Sequence, residues 1–316
     1  MKPRVAIATG DPGGIGPEIS IKAALDERVR AICDPVLIGD RGALEACGLP
    51  LERVCIVERK QLKPGELRIG EISAAHGRAA LDSARAAIEG ALAGEYEAVV
   101  AAPHTETAIH AAGFEFDGYP SFVARTAGLA PHDGILMLCF AWQGREVRIA
   151  HVTLHASVKK SLGMITQARV LRTIRATDEV LNRMGIAKAA IAVGGVNPHA
   201  GEGGLFGHEE EKTVMPAVEA ARRDGIVADG PVGADTLIQR PGYDAYVVML
   251  HDQGHIAAKL LAPNGAAALT IGTPVLFSSV AHGAALDIAG KGPAQHAAMV
   301  EAITRLVSRR RRVPAT

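Results

Sequence analysis

Short apolar runs of strand length recur along this chain, each followed by a longer alanine-rich stretch with helical spacing. That alternation restricts the fold to α/β architectures built on a parallel sheet. The runs are Arg4 to Thr9, Pro35 to Ile38, Arg53 to Val57, Ala98 to Ala102, Ala189 to Val193 and Tyr246 to Leu250. Helical periodicity covers Ser73 to Leu92, Thr166 to Met184 and Glu209 to Arg223, with Gly185 and Gly225 as stop signals after the last two. The alternation breaks once: Ile135 to Phe140 and Glu146 to Val152 flank Trp142-Gln143-Gly144, which predicts an antiparallel hairpin. With 48% hydrophobic but only 3% aromatic residues, the interior must be built from alanine, valine, leucine and isoleucine, as helices packed on a buried sheet require.

At 316 residues the chain exceeds a usual single core. No Pro/Ser-rich linker divides it, so a second domain is expected as an excursion: residues 1–117 with 262–316 form one unit, and 118–261 the other. Basic and acidic residues balance at 34 each, which offers no field for nucleic acid or an anionic membrane and points to a small-molecule partner. Cys33, Cys47, Cys55 and Cys139 form no Cys-x-x-Cys pair. The apolar start, Val5 to Ala8, is too short for a signal-peptide core, and no segment has the length of a membrane span, so a cytoplasmic protein is expected. The Arg309 to Arg312 run reads as the cationic last turn of a helix that follows Pro293.

Three histidines follow strand-like runs: His155 in His-Val-Thr-Leu-His, His199 in Asn-Pro-His-Ala-Gly-Glu-Gly-Gly, and His251 in Met-Leu-His-Asp-Gln-Gly-His. Open α/β sheets place their chemistry at strand carboxyl ends. Three imidazoles there can hold a divalent metal and leave positions open for substrate, although any one of them could equally be an ordinary hydrogen-bonded histidine. The glycine loop Thr9 to Glu18 fits neither Gly-x-Gly-x-x-Gly nor a P-loop; it is either a cofactor turn or simply a tight strand-to-helix connection. Gly194 to Gly207 carries His199 and Glu202 and could lie against a cofactor or metal, or be a surface loop.

Taken together, Gly10 through Glu18, Asn197 through Gly204 and His251 through His255 resemble the 4-hydroxythreonine-4-phosphate dehydrogenase family, from Ile7 to Gly292. The resemblance implies an isopropylmalate-dehydrogenase-like α/β/α fold of two domains with the active site in the cleft between them. It also implies a homodimer whose subunits share active sites, a nicotinamide cofactor, and a divalent metal held by His155, His199 and His251. Zinc is the first choice over manganese or cobalt, and NAD over NADP. Lys259 matches the family's substrate-contacting lysine, and cofactor contacts are assigned to Asn197, Gly201, Glu202 and Gly203.

The chain departs from the phosphate-ester members at their Gly-His-Thr-Glu, which here is Gly118-Tyr119-Pro120-Ser121, and at their substrate-binding asparagine and arginine, here Ala268 and Phe277. A phosphate dianion needs charge-assisted donors. The pattern is similar to the terephthalate cis-dihydrodiol dehydrogenase branch, with likeness in Pro103 to His110, Gly118 to Ser121 and His251 to Gly265.

The implied substrate is a cyclic dihydroxy dicarboxylate, oxidised by NAD and then decarboxylated. Tyr119, Ser121, Phe277 and Lys259 are its expected contacts, Tyr119 and Phe277 as flat walls unless they are core. Lys259 is favoured as a carboxylate clamp over a proton relay. Asp252 and Asp235 are expected to orient ligand imidazoles, or to cap helices. The alternatives are 4-hydroxythreonine-4-phosphate dehydrogenation, metal-dependent hydrolysis, and metal binding without turnover.

Overall fold

A computed structural model describes residues 2–263 and 265–307. It divides into two compact units, residues 2–134 with 273–307, and 135–272. The sequence boundaries at 117/118 and 261/262 differ from these at both crossings. The reason is local: the helix Tyr119–Thr126 packs on the helix Ala74–Leu92 of the first unit, and β10 (Ala267–Ile271) pairs with β5 (Ile135–Trp142) of the second.

The first unit is built on β1 (Arg4–Ala8), β2 (Asp34–Gly39), β3 (Cys55–Glu58), β4 (Ala98–Ala101) and β11 (Phe277–Val280), all parallel in the order β3-β2-β1-β4-β11. Its helix Ala74–Leu92 begins where Ser73 accepts a hydrogen bond from the His76 N–H, a side-chain cap legible in the sequence. The glycine loop is a tight, buried strand-to-helix turn: a Cβ on Gly10 would stand 2.2 Å from the Pro103 carbonyl oxygen, and Asp11 accepts the Gly13 N–H at 2.9 Å. The loop is thus a closely packed connection within this unit.

The second unit contains β5, β6 (Arg145–His151), β7 (Ala190–Gly194), β8 (Val227–Val232), β9 (Ala245–Val248) and β10 in the order β10-β5-β6-β9-β7-β8. The β5–β6 hairpin is antiparallel as predicted, and Gln143 and Gly144 both take positive φ, as its two-residue turn demands. The strands β6, β9, β7 and β8 run parallel. Leu138, Phe140, Ile149, Tyr246 and Val248 form its core. The helix predicted from Glu209 begins as a π-turn, Glu210–Val214, before Met215–Arg223. The Arg309 to Arg312 run lies outside the described residues.

Candidate functional site

In the second unit, β6, β9 and β7 are adjacent and parallel, so their carboxyl ends form one edge. His155 follows β6, His251 follows β9 and opens the helix His251–Leu261, and His199 follows β7. The three histidines thus share one sheet edge. One chain brings two of their rings together: His155 and His251 have centroids 5.9 Å apart. His199 instead packs 6.2 Å from the Phe206 ring. Among the described residues, no group of three His, Cys, Asp or Glu side chains is placed to hold a metal ion.

The segment His251-Asp252-Gln253-Gly254-His255 can be read residue by residue. Asp252 accepts the His251 Nδ1–H at 2.6 Å, which fixes the tautomer and leaves Nε2 with its lone pair for an incoming ligand. Asp252 does not cap this helix, whose N-cap is Leu250. Gln253 accepts the N–H groups of Met249 and Leu250 at 2.9 and 3.0 Å and donates to the Gly195 carbonyl at 3.1 Å, tying the helix start to the ends of β9 and β7. Gly254 admits His151: a Cβ there would lie 2.3 Å from His151 Nε2. His255 stacks on His251 with centroids 3.8 Å apart and planes 8° apart. Burial, reinforced by the neighbouring imidazoles, pushes His151 down to about 3 and His255 down to about 4, so both are neutral near pH 7. Lys259 is exposed, one further turn along the helix from His255 and on the same face.

The His199 loop is held in an unusual conformation. His199, Ala200, Gly201, Glu202 and Gly203 all take positive φ, a left-handed turn that costs about 1–2 kcal/mol at each non-glycine residue. Buried Glu210 braces it, accepting the N–H groups of Val196 and Asn197, both at 2.7 Å, and the Asn197 amide at 2.9 Å. The Asn197 side chain also donates to Glu209 at 2.7 Å, and Gly201 is buried against Glu210, so both serve the turn itself. Glu202 and Gly203 are exposed. Asp235 is exposed beside Gly233, the glycine whose Cβ would also stand 3.6 Å from His199 Cα.

The remaining expected contacts lie in the first unit. Phe277 is 1% exposed and Tyr119 5%, with ring centroids 4.9 Å apart in a core with Phe116 and Phe122. Both side chains therefore pack the core. Ser121 donates its hydroxyl to Asp117, which also pairs with Arg125.

The family of pyridoxal phosphate biosynthetic protein PdxA matches residues 31–306. The chain belongs to this family. A 1,2-dihydroxy-3,5-cyclohexadiene-1,4-dicarboxylate dehydrogenase of Comamonas is 43% identical over 314 residues, 96% of each chain. Among solved structures, a terephthalate 1,2-cis-dihydrodiol dehydrogenase from Burkholderia xenovorans is 41% identical with a TM-score of 0.76, covering 97% of this chain and 98% of its own. A 4-hydroxythreonine-4-phosphate dehydrogenase from Klebsiella pneumoniae is 33% identical with a TM-score of 0.83, over 97% and 98%.

Within this PdxA-family chain, sequence reasoning missed His151, His255 and Glu210. The i, i+4 spacing of His251 and His255 on a helix was a usable signal for the second of these. Nothing local marked Glu210, whose partners at Val196 and Asn197 lie more than ten residues away.

Proposed function

We propose that this PdxA-family chain is an NAD-dependent, metal-assisted dehydrogenase that oxidises and decarboxylates a cis-dihydrodiol carboxylate. The preferred substrate is 1,2-dihydroxy-3,5-cyclohexadiene-1,4-dicarboxylate. The observation that carries this reading is the 43% identity, across 96% of both chains, to the Comamonas enzyme of that name. The burial of Phe277, where phosphate-ester members place an arginine, supports it. A guanidinium in that core would be stranded without a partner.

The donor set fits a divalent ion in part: His155 and His251 are close, and Asp252 presets the His251 tautomer. His199 is the third proposed ligand. When bound, NAD would supply a hydride acceptor and the ion a Lewis acid for the substrate oxygen, held by His155, His251 and His199. The balance closes on protocatechuate, carbon dioxide and NADH, because the proton given up by the hydroxyl returns to the same oxygen as the ring becomes aromatic. Lys259 clamps a substrate carboxylate as a cation, and Asp235 orients His199. We carry forward Ser121 as a substrate contact, and Asn197, Gly201, Glu202 and Gly203 as the cofactor-facing turn.

We further infer a homodimer that shares its active sites, with an isopropylmalate-dehydrogenase-like fold. In support, Val158, Leu162, Leu205, Phe206, Ile256 and Leu260 are exposed in the unit that carries the histidines, between 47% and 74% of their surface. No helix among the described residues is long and apolar enough to cross a membrane. Four unbridged cysteines support a cytoplasmic setting.

The test is NAD reduction with the terephthalate cis-dihydrodiol and with 4-hydroxythreonine 4-phosphate side by side. The expected result is protocatechuate and NADH in equal amounts from the first. Turnover of the phosphorylated amino acid alone would replace this reading with the biosynthetic one.

A further inference from the structure

Four imidazoles stand in a row within the second unit: His151, His255, His251 and His155, with successive centroids 4.8, 3.8 and 5.9 Å apart. The proposed function uses only the last two. His251 and His255 have the i, i+4 spacing by which a helix often offers two imidazoles to one ion. The geometry here rules that out. Lone pairs lie in the ring planes, and two planes 8° from parallel with centroids 3.8 Å apart offer no common point for one ion, while His255 has spent Nδ1–H on the His251 carbonyl at 3.1 Å.

We propose that His255 is a positioning residue: a flat platform that fixes the plane of the His251 ring, as Asp252 fixes its tautomer. This role rests on the metal reading above. The terminal torsion of a histidine is broad and two-fold, so an unsupported ring samples many planes. His251 is the first residue of its helix and its side chain is 36% exposed; the Asp252 bond holds one edge of the ring, and the stacked His255 lies flat against its face. His255 is itself confined. Its hydrogen bond holds one edge, and His151, 2% exposed and bonded through Nδ1 to the Leu136 carbonyl at 3.3 Å, stands behind it. The helix can approach His151 because residue 254 is glycine. Ordering a ligand ring before the ion arrives lowers the entropy lost on binding, and partners of this kind are worth about 10–100-fold in metal affinity.

The test compares full-length wild type, His255→Ala, His255→Phe and, as a ligand control, His155→Ala. Zinc affinity is measured by competition with a chromogenic chelator, cobalt(II) substitution gives the ligand-field spectrum, and melting of the metal-free proteins reports the fold. His255→Ala should bind zinc about 10–100-fold more weakly with an altered cobalt spectrum, and His255→Phe, which keeps a flat ring, should stay within about threefold of wild type. Should the alanine variant fail to fold, His255→Leu, which fills the space without a flat face, takes its place with the same expectation. Unchanged affinity in the alanine or leucine variant overturns the proposal while leaving the metal reading intact, as does a phenylalanine variant as weak as alanine. A wild type that takes up no ion, or one that His155→Ala leaves unaffected, overturns the metal reading and this role together.

Discussion

Asp252 shows how much a single carboxylate can decide. Its 2.6 Å bond to His251 Nδ1 dictates which nitrogen of that ring remains available. Asp252→Ala should therefore weaken zinc binding by about 10–100-fold without a large change in melting, as chelator competition would reveal; unchanged affinity would make the contact incidental. His151 makes a different prediction because it is buried neutral. Its folded pKa, about 3, lies below the ordinary histidine value, so the unfolded chain binds the extra proton first. Stability attributable to this group is full above about pH 6.5 and is lost as pH falls toward its folded value. Between pH 6.5 and 5.0 the loss is about 2 kcal/mol, and urea melts should show His151→Leu lacking that part of the slope. At Phe277 the expectation is steric: truncation to alanine empties a core packed by Tyr119 and should cost about 3–5 kcal/mol in the same assay. A cost below 1 kcal/mol would mean that the ring is not a core group.

Elements add what residues cannot. The order β6-β9-β7 puts the three histidine-bearing ends side by side, although the segments are separated by long stretches of chain. The strands themselves were legible because buried parallel strands need continuous apolar runs, and β1, β2, β4, β7 and β9 fall within a residue or two of their expected ends. β8, β10 and β11 escaped notice; β8 carries glycine and proline, and β10 and β11 are short runs with small or polar residues. The left-handed turn after Asn197 could not be foreseen either, since His199, Ala200 and Glu202 all disfavour positive φ. It is braced from its N-terminal side, where buried Glu210 accepts the N–H groups of Val196 and Asn197 and the Asn197 amide. Glu210→Ala should release the turn, seen as faster amide exchange over residues 196–207 and weaker zinc binding, while exchange in β5 and β6 stays slow. Unaltered exchange in the turn would remove Glu210 from that role.

For the whole molecule the decisive question is what completes the ligand set. His155 and His251 pair within one chain while His199 packs against Phe206, and the same unit exposes several large apolar side chains. If a second copy supplies the missing ligand, mixing inactive His155→Ala with inactive His199→Ala subunits should recover part of the activity through sites that draw one intact set from the two chains. No recovery after verified subunit exchange would count against shared sites. The sequence by itself determined the α/β class, the positions of the longer helices and most of the strands, and the family, because periodicity and glycine-bearing motifs are local and survive as text. Only the tertiary structure decided that Phe277 and Tyr119 are core, that Asn197 serves its own turn, and that His151 and His255 stand behind His251. Those facts depend on which strands become neighbours and how closely a helix can approach them, and no local pattern encodes that distance.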